Sequence, residues 1–117
     1  MQKQLIAAAE YGQRFSQHDT YRHGAIIERA TGSKTRYYGS NSLKTTPGSP
    51  KPEWKGKTIC AEFDAVLRAS RESVTDFTKY NLYVARYGKD GLLRNSKPCM
   101  WCDGLIRRLG FKGVYHS

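Results

Sequence analysis

The stretch PCMWC at residues 98–102 and the tripeptide CAE at residues 60–62 contain all three cysteines of the chain. Three thiolates can bind zinc tetrahedrally and leave the fourth position to water, which is the arrangement of a catalytic zinc site. Glu62 follows the first cysteine by two residues, so its carboxylate can reach that fourth position. The two motifs therefore predict a Zn²⁺ site with Glu62 as its proton carrier. The predicted ligands are Cys60, Cys99 and Cys102.

Both motifs fall where helices are expected to begin. Thr58 can cap one helix, and Pro98 occupies the position that proline favours at the start of another. The N-terminus of a helix lowers the pKa of a nearby thiol and favours the thiolate, which is the form that binds metal. Because Cys99 and Cys102 are three residues apart on a helix, both sulfurs can face one point.

The rest of the chain predicts an α/β fold. The predicted elements are a helix over 2–17, strands over 23–29 and 34–38, a helix after 58, a strand over 81–87, a helix after 98 and a strand over 113–117. The first two strands form a hairpin, and the later strands pair in parallel through right-handed crossovers, with helices on the faces of the sheet. Residues 42–57 contain three prolines and two glycines and are expected to form an irregular loop.

The bulk properties exclude several classes of protein. The chain has 117 residues, the size of one domain, and no segment approaches the roughly 20 apolar residues that span a membrane. An odd number of cysteines without an export signal argues against a disulfide framework, so we expect a cytoplasmic protein. The net charge of +10 favours an anionic substrate or partner. The basic clusters are Lys44, Lys51, Lys55 and Lys57 in the loop, and Arg107, Arg108 and Lys112 near the C-terminus.

CAE at 60–62 with PCMWC at 98–102 resembles the signature of the cytidine and deoxycytidylate deaminase superfamily. In that signature a histidine or cysteine, any residue and a glutamate are followed by proline-cysteine-x-x-cysteine. The resemblance extends from about residue 23 to residue 117. It implies a minimal version of the three-layer α/β/α cytidine deaminase fold, with residues 1–117 as a single zinc-dependent deaminase domain.

The resemblance also implies a reaction and a set of roles. A small cytosine compound, namely cytidine, deoxycytidine or dCMP, would be deaminated when zinc-bound hydroxide attacks C4, while Glu62 protonates N3 and assists the departure of ammonia. Residues 39–41 are similar to the family's glycine-x-asparagine, so Asn41 is expected to contact the sugar or base. The backbone at Ala61 and the carbonyl of Ser96 are expected to hold the pyrimidine edge. Family members commonly self-associate, so a homo-oligomer is expected.

Two features of the sequence point to different branches of this family. A cysteine as the first ligand is typical of the deaminases of free nucleosides, whereas residues 105–117 resemble the deoxycytidylate and polynucleotide branch. An alternative is therefore a cytosine deaminase of single-stranded DNA or RNA, with the basic clusters as a phosphate track. A further alternative is a catalytically inactive zinc module that binds nucleic acid. The zinc site can also be purely structural, completed by His23 or His116.

Several residues also admit plainer interpretations. Asn41 can simply close a strand with a turn, and Trp101 can pack beside the metal rather than stack on substrate. The lysine loop can be a solvated segment. Four tyrosines are expected to be residues of the sheet rather than a platform for stacking bases. They are Tyr37, Tyr38, Tyr83 and Tyr87.

Overall fold

The computed structural model describes residues 2–16, 21–32, 35–41, 60–98 and 100–117. Its elements are α1 (Gln2–Phe15), β1 (His23–Arg29), β2 (Arg36–Ser40), α2 (Ala61–Arg71), β3 (Tyr80–Tyr87), β4 (Leu93–Arg94), α3 (Met100–Leu109) and β5 (Gly113–His116). A 3₁₀ turn, Phe77–Lys79, leads into β3. The loop predicted over 42–57 lies outside the described residues. The prediction of Thr58 as the helix cap is wrong, because Cys60 is the N-cap of α2. None of the described helices is long and apolar enough to cross a membrane.

One mixed sheet of five strands runs through the described part of the chain, with β3 at its centre. The strand β1 pairs antiparallel with β2, which confirms the predicted hairpin, and its other edge pairs antiparallel with β3. On the far edge of β3, β5 runs parallel with Leu82 opposite Val114. The two-residue strand β4 pairs with the end of the same edge, where Tyr87 lies opposite Leu93. The sheet thus has one more strand than the sequence predicted.

Helices cover both faces of this sheet. Alternate residues of a strand point to opposite faces, so the central strands supply two separate apolar surfaces. The cluster beneath α1 comprises Leu5, Ala8, Ala9, Ile26, Tyr83 and Ala85. The cluster beneath α2 and α3 includes Ala25, Ile27, Leu82 and Val84 of the sheet with Ala61, Ala65, Val66, Ala69 and Ile106 of the helices. This arrangement confirms the predicted three-layer α/β/α fold.

The packing of α1 on β1 depends on two glycines. A Cβ atom on Gly24 would lie 1.7 Å from the Ala8 carbonyl oxygen, and one on Gly12 would lie 2.5 Å from the backbone nitrogen of Gly24. Because no side chain fits at either position, helix and strand make direct backbone contact. This contact explains why a glycine stands inside α1, where it costs about 1 kcal/mol relative to alanine.

Candidate active site

Three strands end at one edge of the sheet, where two of the predicted site residues, Asn41 and Ser96, lie. The strands β2, β3 and β5 run in the same direction, so their carboxyl ends lie at the same edge, where the antiparallel β1 begins at His23. In open α/β sheets, ligands bind outside the carboxyl ends of the strands. Asn41 follows β2 at this edge, and Ser96 is tied to it by a hydrogen bond from its N–H to the Ser117 carbonyl (2.8 Å).

The helix α2 begins against the end of β2. Cys60 is its N-cap residue, in an extended conformation and without a side-chain capping hydrogen bond, and the Asp64 N–H donates to the Cys60 carbonyl at 3.0 Å. The Asp64 carboxylate accepts a hydrogen bond from the Ser40 N–H at 3.0 Å, which joins the first turn of the helix to the strand. Cys60 therefore lies one position outside the helix rather than within its first turn.

The predicted proton carrier is buried beside the first predicted ligand. Glu62 is 4% exposed and Ala61 is 1% exposed, while Cys60 is partly exposed. A carboxylate in the first turn of a helix is stabilised by the helix dipole and by N–H groups that lack intrahelical partners. Glu62 therefore stands buried in the first turn of α2, two residues after Cys60.

Cys102 lies in the first turn of α3 and its side chain is fully buried. Cys60 and Cys102 are both thiols rather than halves of a disulfide. Thiolate sulfur at a helix N-terminus is a donor that zinc prefers, so the two cysteines fit the metal in their chemistry. Cys99 lies outside the described residues. Within the described ranges, no three histidine, cysteine, aspartate or glutamate side chains form a group that could hold a metal ion.

Asn41 binds the structure around it through both ends of its amide. Its Oδ1 accepts a hydrogen bond from the His23 N–H at 3.0 Å and another from the Ser16 hydroxyl. Its Nδ2 donates to the Tyr21 carbonyl at 2.6 Å. Asn41 therefore joins the end of β2 to the start of β1 and to the end of α1. These contacts support the plainer interpretation, in which Asn41 closes the strand. The expected contact of Asn41 with substrate stays a prediction.

Ser96 is 1% exposed and is connected to two distant segments. Its Oγ lies 2.6 Å from Nδ1 of His23, and its N–H donates to Ser117. The Ser117 hydroxyl in turn donates to the Arg94 carbonyl at 2.6 Å. From the sequence, His23 was expected only as a possible ligand that completes a structural zinc site. No local pattern in the sequence points to its contact with Ser96, which lies 73 positions along the chain.

The basic clusters, Trp101 and His116 were also singled out in the sequence. The lysine cluster of the loop and the side chain of Trp101 lie outside the described part of the structure. Arg107 is exposed and pairs with Asp103 one turn earlier in α3, at 2.9 Å. The Nδ1 atom of His116 lies 2.9 Å from the Ser117 carbonyl oxygen.

The tyrosines pack within the sheet layers, as expected. Tyr83 is 5% exposed and stacks on Tyr115 with ring centroids 5.2 Å apart, and burial raises its pKa above the ordinary 10.0. Tyr38 packs on Tyr11 at 5.1 Å, and Tyr37 contacts Tyr80 at 6.3 Å. These contacts favour a structural role over a base-stacking platform.

The described structure is a three-layer α/β/α sheet with Cys60 and Cys102 at the starts of two helices and the buried Glu62 two residues after Cys60. The sequence profile of the cytidine and deoxycytidylate deaminase zinc-binding region matches residues 1–117, and the chain belongs to that family. This match confirms the resemblance to the deaminase superfamily that the two cysteine motifs indicated. Membership supports hydrolytic deamination of cytosine as the general chemistry and implies Zn²⁺. No curated protein sequence matches the chain.

Solved structures of such enzymes share the fold. The dCMP deaminase of the cyanophage S-TIM5, in apo form, is 22% identical with a TM-score of 0.65, covering 97% of this chain and 79% of that one. The same enzyme in complex with dCMP and dUMP is 20% identical with a TM-score of 0.61, covering 98% and 79%. The cytidine deaminase of Burkholderia pseudomallei is 18% identical with a TM-score of 0.64, covering 94% and 77%.

Proposed function

We propose that residues 1–117 act as one zinc-dependent deaminase domain that converts the cytosine of a small nucleoside or nucleotide to uracil. The candidate substrates are cytidine, deoxycytidine and dCMP. The observation that carries this proposal is the start of α2, where Cys60 and the buried Glu62 stand two residues apart. Cys102, buried in the first turn of α3, supports it.

The three cysteines would hold the zinc ion, which acidifies a bound water molecule for attack at C4 of cytosine. Three anionic sulfurs donate more charge to the metal than three imidazoles do, so a neighbouring base matters more. Glu62 would accept a proton from this water, deliver it to N3 of the ring, and then assist the departure of ammonia. Its burial favours this role, because water does not compete for the carboxylate.

The pyrimidine would lie against the first turn of α2 and the segment before α3. Ala61 is the first residue of α2, a position whose N–H points out of the helix and can bind a ligand. The Ser96 carbonyl is proposed as the acceptor for the amino group, and Asn41 as a contact to the sugar. The second hydrogen of the Asn41 amide can serve this purpose while the first binds Tyr21.

The positive charge favours a nucleotide over an uncharged nucleoside. A net charge of +10 attracts phosphate, and the cyanophage enzyme that shares this fold was solved with dCMP and dUMP. The same charge supports a second candidate, deamination of cytosine in single-stranded nucleic acid. Arg107, Arg108 and Lys112 are exposed and would contact phosphates in that case.

A substrate panel tests the proposal and separates the candidates. The purified protein is incubated with cytidine, deoxycytidine, dCMP and a cytosine-containing oligodeoxynucleotide, and uracil formation is followed. We expect turnover of a monomeric substrate, with dCMP the best of the three. Turnover of the oligonucleotide alone would favour the second candidate. Salt-dependent oligonucleotide binding without any deamination, unaltered in Glu62→Ala, would indicate a catalytically inactive module.

A further inference from the structure

One residue touches both segments that the proposed function assigns to substrate. His23, the first residue of β1, donates its main-chain N–H to Oδ1 of Asn41 at 3.0 Å. Its ring places Nδ1 2.6 Å from Oγ of Ser96. Asn41 and Ser96 are 55 positions apart in the chain, and both contact this histidine. The two contacts use different parts of the residue, so they can be separated by experiment.

Ser96 lies in the segment 95–98, which is neither helix nor strand. The contacts of this segment include the Ser96 N–H to the Ser117 carbonyl, the ring of His23 on Ser96, and Arg86 Nε to the Asn95 carbonyl at 2.8 Å. Of these contacts, the one from His23 reaches the side chain of Ser96, a residue that is 1% exposed.

We propose that His23 is a positioning residue. Its ring fixes Ser96, and with it the Ser96 carbonyl, relative to Asn41 at the edge of the sheet. This inference rests on the proposed function, because it takes Ser96 and Asn41 as substrate contacts. A change in the ring leaves the His23 main-chain bond to Asn41 in place and removes the contact of the ring with Ser96. In the proposed function Ser96 binds substrate before and during reaction, so its misplacement would weaken ground-state and transition-state binding alike. Such a loss raises KM and leaves kcat nearly unchanged.

The alternative role for His23 is that of a metal ligand in a structural zinc site. In that case removing the ring would release zinc and lower stability together with activity. A positioning role instead leaves the zinc content unchanged. The zinc content of each variant therefore accompanies every kinetic measurement.

Three substitutions at His23 test the role of the ring nitrogen. The terminal amide of asparagine reaches the place of Nδ1, whereas that of glutamine reaches the place of Nε2. We expect His23→Ala to raise KM for dCMP about tenfold, the loss expected for one buried hydrogen bond. Its kcat should stay within about threefold of wild type, and its zinc content should not change. His23→Asn should recover most of the loss in KM, and His23→Gln should not.

A double substitution tests whether the effect passes through Ser96. Removing the hydroxyl in Ser96→Ala leaves the proposed carbonyl contact but deletes the partner of the ring. If His23 acts through this hydroxyl, the double variant His23→Ala/Ser96→Ala has the same KM as either single variant. Effects that multiply would overturn the inference. So would an unchanged KM in His23→Ala, equal recovery by asparagine and glutamine, or loss of zinc in parallel with activity.

Binding measurements distinguish failure of this inference from failure of the proposed function. Calorimetric titration gives Kd for dCMP on the same variants, whether or not turnover occurs. If the wild-type protein binds dCMP without deaminating it, the proposed function fails, and a tenfold higher Kd in His23→Ala still supports the positioning role. Absence of binding to cytidine, deoxycytidine and dCMP by the wild-type protein would overturn both.

Discussion

Gly39 of β2 lies directly against Ala61, the first residue of α2. A Cβ atom at Gly39 would come within 2.3 Å of the Ala61 carbonyl oxygen and 2.4 Å of the Ala65 nitrogen. Both are backbone atoms, so no rotation of a side chain can relieve the contact. The absence of a side chain at Gly39 therefore sets how closely the turn that carries Cys60 and Glu62 approaches the sheet edge.

Gly39→Ala should displace the start of α2. The expected loss is about 3 kcal/mol in the free energy of unfolding, at the upper end for overpacking, because the obstructing atoms are backbone. Zinc should bind more weakly in this variant, since the displaced turn carries Cys60. Chemical denaturation and a competitive zinc titration measure the two effects.

Gly104→Ala in α3 is a matched control for this substitution. A Cβ atom there would meet nothing within 4 Å, and glycine inside a helix costs about 1 kcal/mol relative to alanine. The control should therefore be neutral or slightly stabilising and should retain zinc. A stable, zinc-replete Gly39→Ala protein would show that the close approach does not set the geometry of the site.

Glu62→Ala should retain zinc and lose turnover. The lost proton transfer should cost about 10²- to 10⁴-fold in kcat, because no other group takes over the transfer. Glu72→Ala, which removes an exposed carboxylate at the other end of the same helix, should keep wild-type activity. Zinc analysis and initial rates on both variants check the prediction, and full activity in Glu62→Ala would refute the role given to it.

Cys102→Ala and Cys99→Ala should each lose zinc and much stability. A ligand that binds only the folded state adds about 4 kcal/mol when present at a thousandfold over its Kd, so loss of the ion should cost about that much. A strong chelator should lower Tm of the wild-type protein and leave Tm of Cys102→Ala unchanged. Equal chelator effects on both proteins would argue that the zinc is held elsewhere.

The pH dependence of stability should reflect Asp76, which caps the 3₁₀ turn before β3. The Asp76 carboxylate accepts hydrogen bonds from the hydroxyl and from the N–H of Thr78. These bonds, with the hydroxyl contributing most, hold the pKa of Asp76 below the ordinary 3.8. A pKa lowered by folding stabilises the protein above the unfolded value, and this contribution is lost as pH falls through the folded value. Tm of wild type should thus exceed that of Asp76→Asn at pH 6, and the difference should shrink as pH falls below the ordinary 3.8. A difference that persists at low pH would contradict this assignment.

Much of the fold was predictable because its elements have local signals. The apolar run of β1 predicted its bounds, His23–Arg29, and helices on the faces of a sheet followed from the order of helices and strands. The second strand lies two residues later than predicted, because Gly39 and Ser40 remain paired with β1 where a turn was expected. The strand Leu93–Arg94 has no pattern of its own and exists only through its pairing with β3.

The candidate site was predictable only where residue spacing encodes chemistry. The CAE and PCMWC motifs identified Cys60, Glu62 and Cys102, which the structure places at the starts of two helices. The contacts of Ser96 with His23 and Ser117 connect residues 73 and 21 positions apart, and no periodicity links them. Such contacts depend on where the chain crosses the sheet edge, which the sequence pattern does not specify.

The most direct test measures zinc and chemistry on one sample of the wild-type protein. The account predicts one zinc ion per chain, with one ammonia released for each uracil formed from dCMP, cytidine or deoxycytidine. Removing the ion should abolish both products, and returning zinc should restore them. Protein that cannot take up zinc, or that deaminates equally well without it, would contradict the account.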